Sequence, residues 1–218
     1  MDAESLSSEL NTELVFDRIA DALSETGYAV LPAALPATMG DALLARAASF
    51  DHSVFRAAGV GRADKFQLNA LVRNDEICWL TPDNEVEAAY LAWMEALRMG
   101  LNRRLFMGLF DYEGHFARYA PGAFYKKHVD AFKGRTNRVL STVFYLNPNW
   151  EVADGGHLLM YDHRDNAIAT ISPLMGTLVV FLSDRFPHEV SQASRLRYSI
   201  AGWFRVNASL GSHIDPPQ

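Results

Sequence analysis

Residues 139–146 read VLSTVFYL, eight positions rich in β-branched and aromatic side chains that run into the turn signal Asn147-Pro148. Side chains of this kind favour the pleated, half-buried surface of a strand. Outward from it, His157–Tyr161, Ile168–Ile171, Leu178–Leu182 and Tyr198–Val206 repeat that character, and Gly155-Gly156, Asp165-Asn166, Ser172-Pro173 and Gly176 separate them. Short strands at this spacing, beginning where the periodicity changes near Phe116, predict a sandwich, barrel or jelly roll over residues 116–206.

Upstream the period is helical. Val15, Ile19, Ala22 and Leu23 share one face, Gly27 is a stop, and Tyr28–Leu31 is a short strand. A second helix follows Pro36, with Met39, Leu43, Ala47 and Phe50 aligned. Thr81-Pro82 reads as an N-cap with proline at the first helical position, opening a stripe of Val86, Tyr90, Trp93, Leu97 and Leu101. Gly59-Val60-Gly61-Arg62 reads as a loop, without the strand-to-helix context of a phosphate loop. The chain of 218 residues is therefore read as one α+β domain: a tail over 1–12, mainly helical support over 13–110 and a double-stranded β-helix over 116–206.

That length, with 49% hydrophobic residues, buries a sizeable core without staples. The single cysteine, Cys78, allows no internal disulfide and suits a reducing compartment, so a cytoplasmic location is expected. No apolar run approaches the roughly 20 residues of a membrane helix, and the acidic start is unlike a signal peptide. The net charge of −6 argues against a nucleic-acid partner. By position, residues 1–25 hold seven acids and one base, 7 − 1 giving all of the excess, and the remainder balances 19 acids with 19 bases. Lys126, Lys127, Lys133, Arg135 and Arg138 crowd residues 126–138, whose only acid is Asp130. That run is either a solvated loop or an electropositive rim for an acidic partner.

Seven histidines are present: His52, His115, His128, His157, His163, His188 and His213. Three begin His-x-Asp (His128-Val129-Asp130, His163-Arg164-Asp165 and His213-Ile214-Asp215), where this composition gives roughly half a match by chance. Two neutral imidazoles and a carboxylate on one face of an octahedron are the ligand set of non-haem Fe(II) oxygenases. Residues two apart in a strand point the same way, so His-x-Asp supplies two such ligands. Spacing chooses among the three. His213 has no histidine downstream, and His163-Arg164-Asp165 lies only 23 positions before His188. Asp130 precedes His188 by 188 − 130 = 58 positions, room for the four strand candidates between Val139 and Leu182. His128, Asp130 and His188 are the candidate ligands. Arg197, at the start of the strand candidate after His188, is the candidate cation for an anionic co-substrate, with Arg195 as its competitor.

These residues resemble a known family, the prolyl-hydroxylase branch of the Fe(II)- and 2-oxoglutarate-dependent oxygenases, over about residues 60–206. The resemblance is carried by Tyr119, Pro121-Gly122 and Tyr125-Lys126-Lys127-His128-Val129-Asp130, then Phe144-Tyr145-Leu146-Asn147, Trp150 and Gly155-Gly156. It continues through Ser183-Asp184-Arg185, Pro187-His188-Glu189-Val190, Arg197-Tyr198 and Trp203, and upstream through Arg73-Asn74-Asp75-Glu76-Ile77-Cys78-Trp79. It is closer to the compact oxygen-sensing type and its bacterial relatives than to the collagen type. The resemblance implies Fe(II) on His128, Asp130 and His188, and the distal carboxylate of 2-oxoglutarate on Arg197 and the Tyr145 hydroxyl, with Tyr119 lining that pocket. It implies an Asp75–Arg138 pair holding a substrate-covering loop that includes Arg62, and Trp203 shaping the substrate pocket. It implies O2 as second co-substrate, ascorbate as reductant, and 4-hydroxylation of a prolyl residue in a protein, elongation factor Tu being one partner by analogy with bacterial members. Free proline or another small molecule as substrate, and a non-catalytic metal- or 2-oxoglutarate-binding sensor, stay open as alternatives. Oligomeric state is not legible. Because the imidazoles must be neutral, metal affinity is expected to fall on acidification toward an ordinary histidine pKa of about 6.5.

Overall fold

The computed structural model describes residues 3–51, 54–58, 72–131 and 137–207, with side chains from Asn11 onward. Arg62, Lys133, Arg135, His52, His213 and Asp215 lie outside the described residues. The first half holds α1 (Ala3–Glu25), β1 (Tyr28–Leu31), α2 (Ala37–Ser49), β2 (Arg56–Ala57), β3 (Glu76–Trp79), α3 (Glu85–Leu105) and β4 (Leu109–Tyr119). The second half holds β5 (Tyr125–His128), β6 (Arg138–Tyr145), β7 (Leu158–Tyr161), β8 (Ala167–Ile171), β9 (Leu178–Leu182), β10 (His188–Val190) and β11 (Arg197–Val206). Two antiparallel sheets result, β1-β9-β6-β11-β4-β3-β2 and β5-β10-β7-β8. They form the expected jelly roll, with helices on one face of the larger sheet.

The period of two sorts the larger sheet's side chains. Phe116, Leu140, Phe144, Leu178, Val180, Ile200 and Phe204 turn toward the helices, where they meet Phe16, Ile19, Leu43, Tyr90, Met94 and Leu97 in one core. The alternate positions, Ala117, Tyr119, Tyr145, Val179 and Phe181, turn between the sheets, against Leu158 and Met160 of β7. Each fully buried large apolar side chain contributes about 1.5–3 kcal/mol.

Three boundaries differ from the sequence reading. The segment read as a tail over 1–12 is helical from Ala3, consistent with a stretch free of glycine and proline up to Gly27. Its acids do more than face water. Glu13 and Asp17 reach the end of α3, with Asp17–Arg104 and Glu13–Arg104 both 2.7 Å and Glu13–Arg103 3.1 Å. Exposed as they are, such pairs are worth about 0–1 kcal/mol each. The N-cap of α3 is Asn84, whose side chain accepts from Val86 N and Glu87 N, whereas the Thr81 hydroxyl donates to Asp83. Finally, β4 begins at Leu109, inside the stretch read as helical support. Phe106 closes α3 in a left-handed conformation, and the Asn102 side-chain amide brackets the Leu109 backbone at 2.8 Å on both sides.

His115 of β4 lies between the sheets beside Trp79 and Trp203 and is 3% exposed. Burial, reinforced by the Arg73 charge, pushes its pKa down to about 4, and burial likewise pushes His188 to about 4. Because the unfolded chain binds these protons near pH 6.5, the stability tied to neutral imidazoles is complete above that pH and lost as pH falls toward 4. The metal-free protein is therefore expected to hold its thermal midpoint above pH 7 and lose it between 6.5 and 4. His115→Gln is expected to remove part of that acid slope, on the order of 3 kcal/mol at pH 4. Identical slopes for the two proteins in a pH series of thermal melts would count against this assignment.

Candidate active site

Between the sheets, His128 ends β5 and His188 begins β10, and their Cα positions are paired across the smaller sheet. Asp130 lies in the bend just past β5, so the His-x-Asp pair straddles a strand end instead of sharing one strand face as the sequence reading expected. One ligand atom from each of His128, Asp130 and His188 falls within 4.8 Å of the others. His128 Nε2 stands 3.5 Å from Asp130 Oδ1, and His188 Nε2 3.8 Å from Asp130 Oδ2.

The far nitrogens are committed. His128 Nδ1 meets the Lys126 carbonyl at 2.8 Å and His188 Nδ1 the Phe186 carbonyl at 3.0 Å, which leaves both Nε2 lone pairs aimed at the shared point when the rings are neutral. Burial holds His188 neutral. Burial alone would raise the Asp130 carboxyl, but the charge that the His188 and His128 imidazoles carry when protonated, and the Ser141 hydroxyl in either case, hold it well below the usual carboxylate range. Ser141 Oγ donates to Asp130 Oδ2 at 2.6 Å and lies 2.9 Å from Ser183 Oγ. Two neutral nitrogens and an ionised oxygen, each oriented by a further hydrogen bond, are a donor set for a divalent transition metal.

Deeper along β11, Arg197 is 2% exposed. Its Nε donates to the Gly156 carbonyl at 3.0 Å and its Nη1 to Ser199 Oγ at 3.3 Å, and no carboxylate pairs with it among the described residues. A buried guanidinium without a counter-ion is costly unless an anion arrives. The Tyr145 hydroxyl beside it is buried with no hydrogen-bond partner within bonding geometry among the described residues, and burial pushes that phenol up to about 12 against the pull of the neighbouring Arg197 guanidinium. Tyr119 lies under the guanidinium, 4.7 Å from it, and is 4% exposed. Gly156 is required here. Its φ is +64°, and a Cβ would stand 3.0 Å from Arg197 Cδ. An unpaired cation and an orphaned hydroxyl on one wall fit a carboxylate. Arg195, the competitor, turns outward to Asp154 and Trp150.

Other expectations change. Arg73 grips Asp75 bidentately at 2.7 and 2.6 Å, and Arg138 pairs with Glu113 at 2.7 Å. The expected Asp75–Arg138 pair is therefore not formed. Arg73 is two residues from Asp75, whereas Arg138 starts β6 and reaches over β11 to Glu113 of β4. Arg138 also covers the Trp203 ring at 3.5 Å, and Trp203 Nε1 is buried with no partner among the described residues. Trp203 lies opposite Ser141 in the β11–β6 ladder, hence beside Asp130. Within the basic run, Lys127 is paired with Asp165 and covers Tyr161, leaving Lys126 exposed. His163 and Asp165 sit in the exposed β7–β8 turn. Sequence reasoning missed Ser141 and Ser199, and it quoted Tyr125 and Arg73 only as carriers of the resemblance, without a role of their own. A serine of the same parity as Tyr145 in an apolar strand was the available signal for Ser141.

A family model described as the 2OG-Fe(II) oxygenase superfamily matches residues 114–205. A crystal structure of a Pseudomonas putida prolyl-4-hydroxylase is 38% identical with TM-score 0.80, covering 89% of this chain and 100% of that one. A prolyl hydroxylase from Trichoplax adhaerens, in complex with a hypoxia inducible factor oxygen degradation domain peptide fragment, is 25% identical with TM-score 0.79, covering 94% of each chain. Human Egl nine homolog 1 is 30% identical over 143 residues, 61% of this chain and 33% of that protein. The chain spans between 12% and 35% of the length of these curated relatives. The chain belongs to the 2OG-Fe(II) oxygenase superfamily, within its prolyl hydroxylase family. Members of that superfamily use Fe(II), 2-oxoglutarate and O2.

Two measurements probe the two halves of the site. Ser141→Ala is expected to weaken Mn(II) or Co(II) binding by about 10- to 100-fold, the usual effect of removing an outer hydrogen bond to a metal ligand. Unchanged affinity by calorimetry would remove Ser141 from the site. Arg197→Lys, which cannot grip a carboxylate bidentately, is expected to weaken 2-oxoglutarate binding at least tenfold while leaving affinity for the metal alone near wild type.

Proposed function

We propose that this chain is an Fe(II)- and 2-oxoglutarate-dependent dioxygenase that 4-hydroxylates a prolyl residue in a protein substrate. The observation that carries the reading is the pairing of a buried Arg197 without a counter-ion and a buried Tyr145 hydroxyl without a hydrogen-bond partner, among the described residues, on the larger-sheet wall of the cleft whose smaller-sheet wall carries His128 and His188. In this reading His128, Asp130 and His188 hold the metal, while Arg197 and Tyr145 bind the distal carboxylate of 2-oxoglutarate above Tyr119. When bound, iron and its co-substrates supply the oxidation, in which 2-oxoglutarate and O2 give succinate, CO2 and one oxygen atom inserted into a substrate C–H bond.

The chain's own residues do the positioning. Arg197 is held at fixed depth by Gly156 and Ser199, so the co-substrate's far end has one seat. Aromatic and aliphatic walls, among them Phe181 and Tyr145, keep water from that seat. Asp130 stays ionised and both histidines stay aimed by their carbonyl partners. Trp203, its plane set by Arg138 and its Nε1 free to donate, is a substrate-contacting residue in this reading, and half-exposed Trp79 flanks it through His115. Asp75 contributes through Arg73, and Arg62 keeps the loop role that the resemblance implies. A prolyl substrate is supported by the likeness to the Pseudomonas putida and Trichoplax adhaerens hydroxylases, the latter bound to a peptide fragment. A reducing cytoplasm agrees with the one free cysteine, and among the described residues no helix is long and apolar enough to cross a membrane.

The test is substrate trapping with an iron-ligand variant, elongation factor Tu among the candidates, followed by mass spectrometry with the wild-type enzyme. Gain of one oxygen on a peptidyl proline is the expected result, and turnover of free amino acids alone would sink the protein-substrate reading. Asp130→Ala is expected to abolish substrate-dependent succinate release and Asp165→Ala to leave it intact. If both behave alike, the choice of ligand triplet is wrong. Metal and 2-oxoglutarate binding with no turnover of any substrate would favour the sensor.

A further inference from the structure

Residues 72–79 cross from one sheet to the other. At the start, Lys126 N donates to the Val72 carbonyl at 2.9 Å, Arg73 forms an antiparallel bridge with Tyr125, and the Asn74 side chain accepts from Phe124 N at 2.7 Å. This edge therefore extends the smaller sheet beyond β5. Three residues later the same chain is β3, paired with β4 in the larger sheet. Asp75 is the pivot, 1% exposed and gripped by Arg73.

The side chains at that pivot form a stack that ends on the metal site. The Arg73 guanidinium lies over the Tyr125 ring, 4.2 Å from its centroid. The other side of the stack is the His128 imidazole, 3.6 Å from Tyr125 and within 14° of parallel. We propose that Arg73 and Tyr125 are positioning residues for His128: the guanidinium fixes the tyrosine plane, and the tyrosine plane fixes the imidazole that carries the metal-binding Nε2. This rests on the metal role of His128 stated above.

The physical argument has two parts. An imidazole bonded through Nδ1 to the Lys126 carbonyl still rocks about that bond, which swings Nε2 away from the metal point. A parallel ring at van der Waals distance removes that motion without spending a hydrogen bond. The guanidinium favours the tyrosine face electrostatically, and its five-donor fork lets it remain flat on the ring while holding Asp75 in plane. Charge supplies the second part. An uncompensated cation this close would oppose binding of a divalent metal, and the buried Asp75 carboxylate cancels it at 2.6 Å. That accounts for a fully buried acid whose ion-pair partner is its near neighbour in sequence. Because the same eight residues carry β3 along the larger sheet, the stack ties the placement of a metal ligand to the far wall of the cavity.

The test uses the full chain and Mn(II) as probe, with the free ion counted by electron paramagnetic resonance, and the His128 ring proton followed by NMR, assigned by its loss in His128→Asn. Tyr125→Leu and Arg73→Leu are expected to weaken Mn(II) binding about tenfold or more, the range for outer partners of metal ligands, and to move the His128 resonance as the ring current is lost. Tyr125→Phe, which keeps the stack, is expected to stay within about twofold of wild type on the same scale. Asp75→Asn, which leaves the guanidinium uncompensated, is expected to weaken binding without abolishing the Tyr125 ring-current shift. Wild-type affinity in both leucine variants, or weakened affinity with an unmoved His128 resonance, would overturn the proposal. Should a leucine variant fail to fold, Tyr125→Phe and Asp75→Asn decide it: equal affinities for those two would overturn it. A wild-type protein that binds no Mn(II) would instead overturn the metal reading on which this rests.

Discussion

Strand β11 is hydrogen-bonded along both edges, to β4 through ten paired positions and to β6 through seven. Every side chain it carries is consequently committed to one of two buried faces. Ile200 and Phe204 go to the helical layer, while Arg197, Ser199, Trp203 and Arg205 go between the sheets. A slip of one residue would exchange the two sets, driving a guanidinium into the apolar core and a phenylalanine into the cavity. The register of this single strand thus places the anion-binding wall, the tryptophan beside the metal cluster and the floor on which the helices sit.

Commitment to a buried face makes charge the second constraint. Three buried or nearly buried arginines between the sheets sit against acids: Arg205 with Asp111, Arg138 with Glu113 and Arg73 with Asp75. Arg197 has no acid among the described residues. Since burial penalises all four guanidinium groups, the exception is the informative one. Those three are neutralised by acids of the walls they build, Arg205 reaching Glu113 as well, and the fourth cation is left for something that comes from outside.

The parts of this arrangement legible in sequence were those where hydropathy and local turn chemistry coincide. β6 to β9 and β11 were readable as apolar runs, most of them beside Asn-Pro, Gly-Gly, Ser-Pro or Gly176, and the 58-residue gap from Asp130 to His188 does contain β6 to β9. β4 was obscured in its first half because Asp111 and Glu113, charged in sequence, are buried as ion pairs, which no hydropathy pattern encodes. β5 reads YKKH and β10 only HEV, too short and too polar to stand out. The choice of Arg197 over Arg195 followed from the strand, whereas the partner of Asp75 did not. That partner depended on which arginine the fold brought nearer, and a residue two positions away outcompeted one on a distant strand. The start of α3 shows the same limit locally, because Thr81-Pro82 and Asn84 both carry capping signatures and only the backbone path selects between them.

The edge strand β1 has its own consequence. It pairs with β9, Tyr28 opposite Phe181, closing 181 − 28 = 153 positions of chain. A polypeptide leaving the ribosome amino end first exposes Tyr28–Leu31 long before its partner exists. Contacts at such separation are slow to form, and the first helices have their main docking surface only when β4, β6, β9 and β11 are assembled beneath them. A segment synthesised before its partner strands is thus among the last to find its place, and during that interval its apolar face, Phe16 and Ile19 included, is open to contact with other chains.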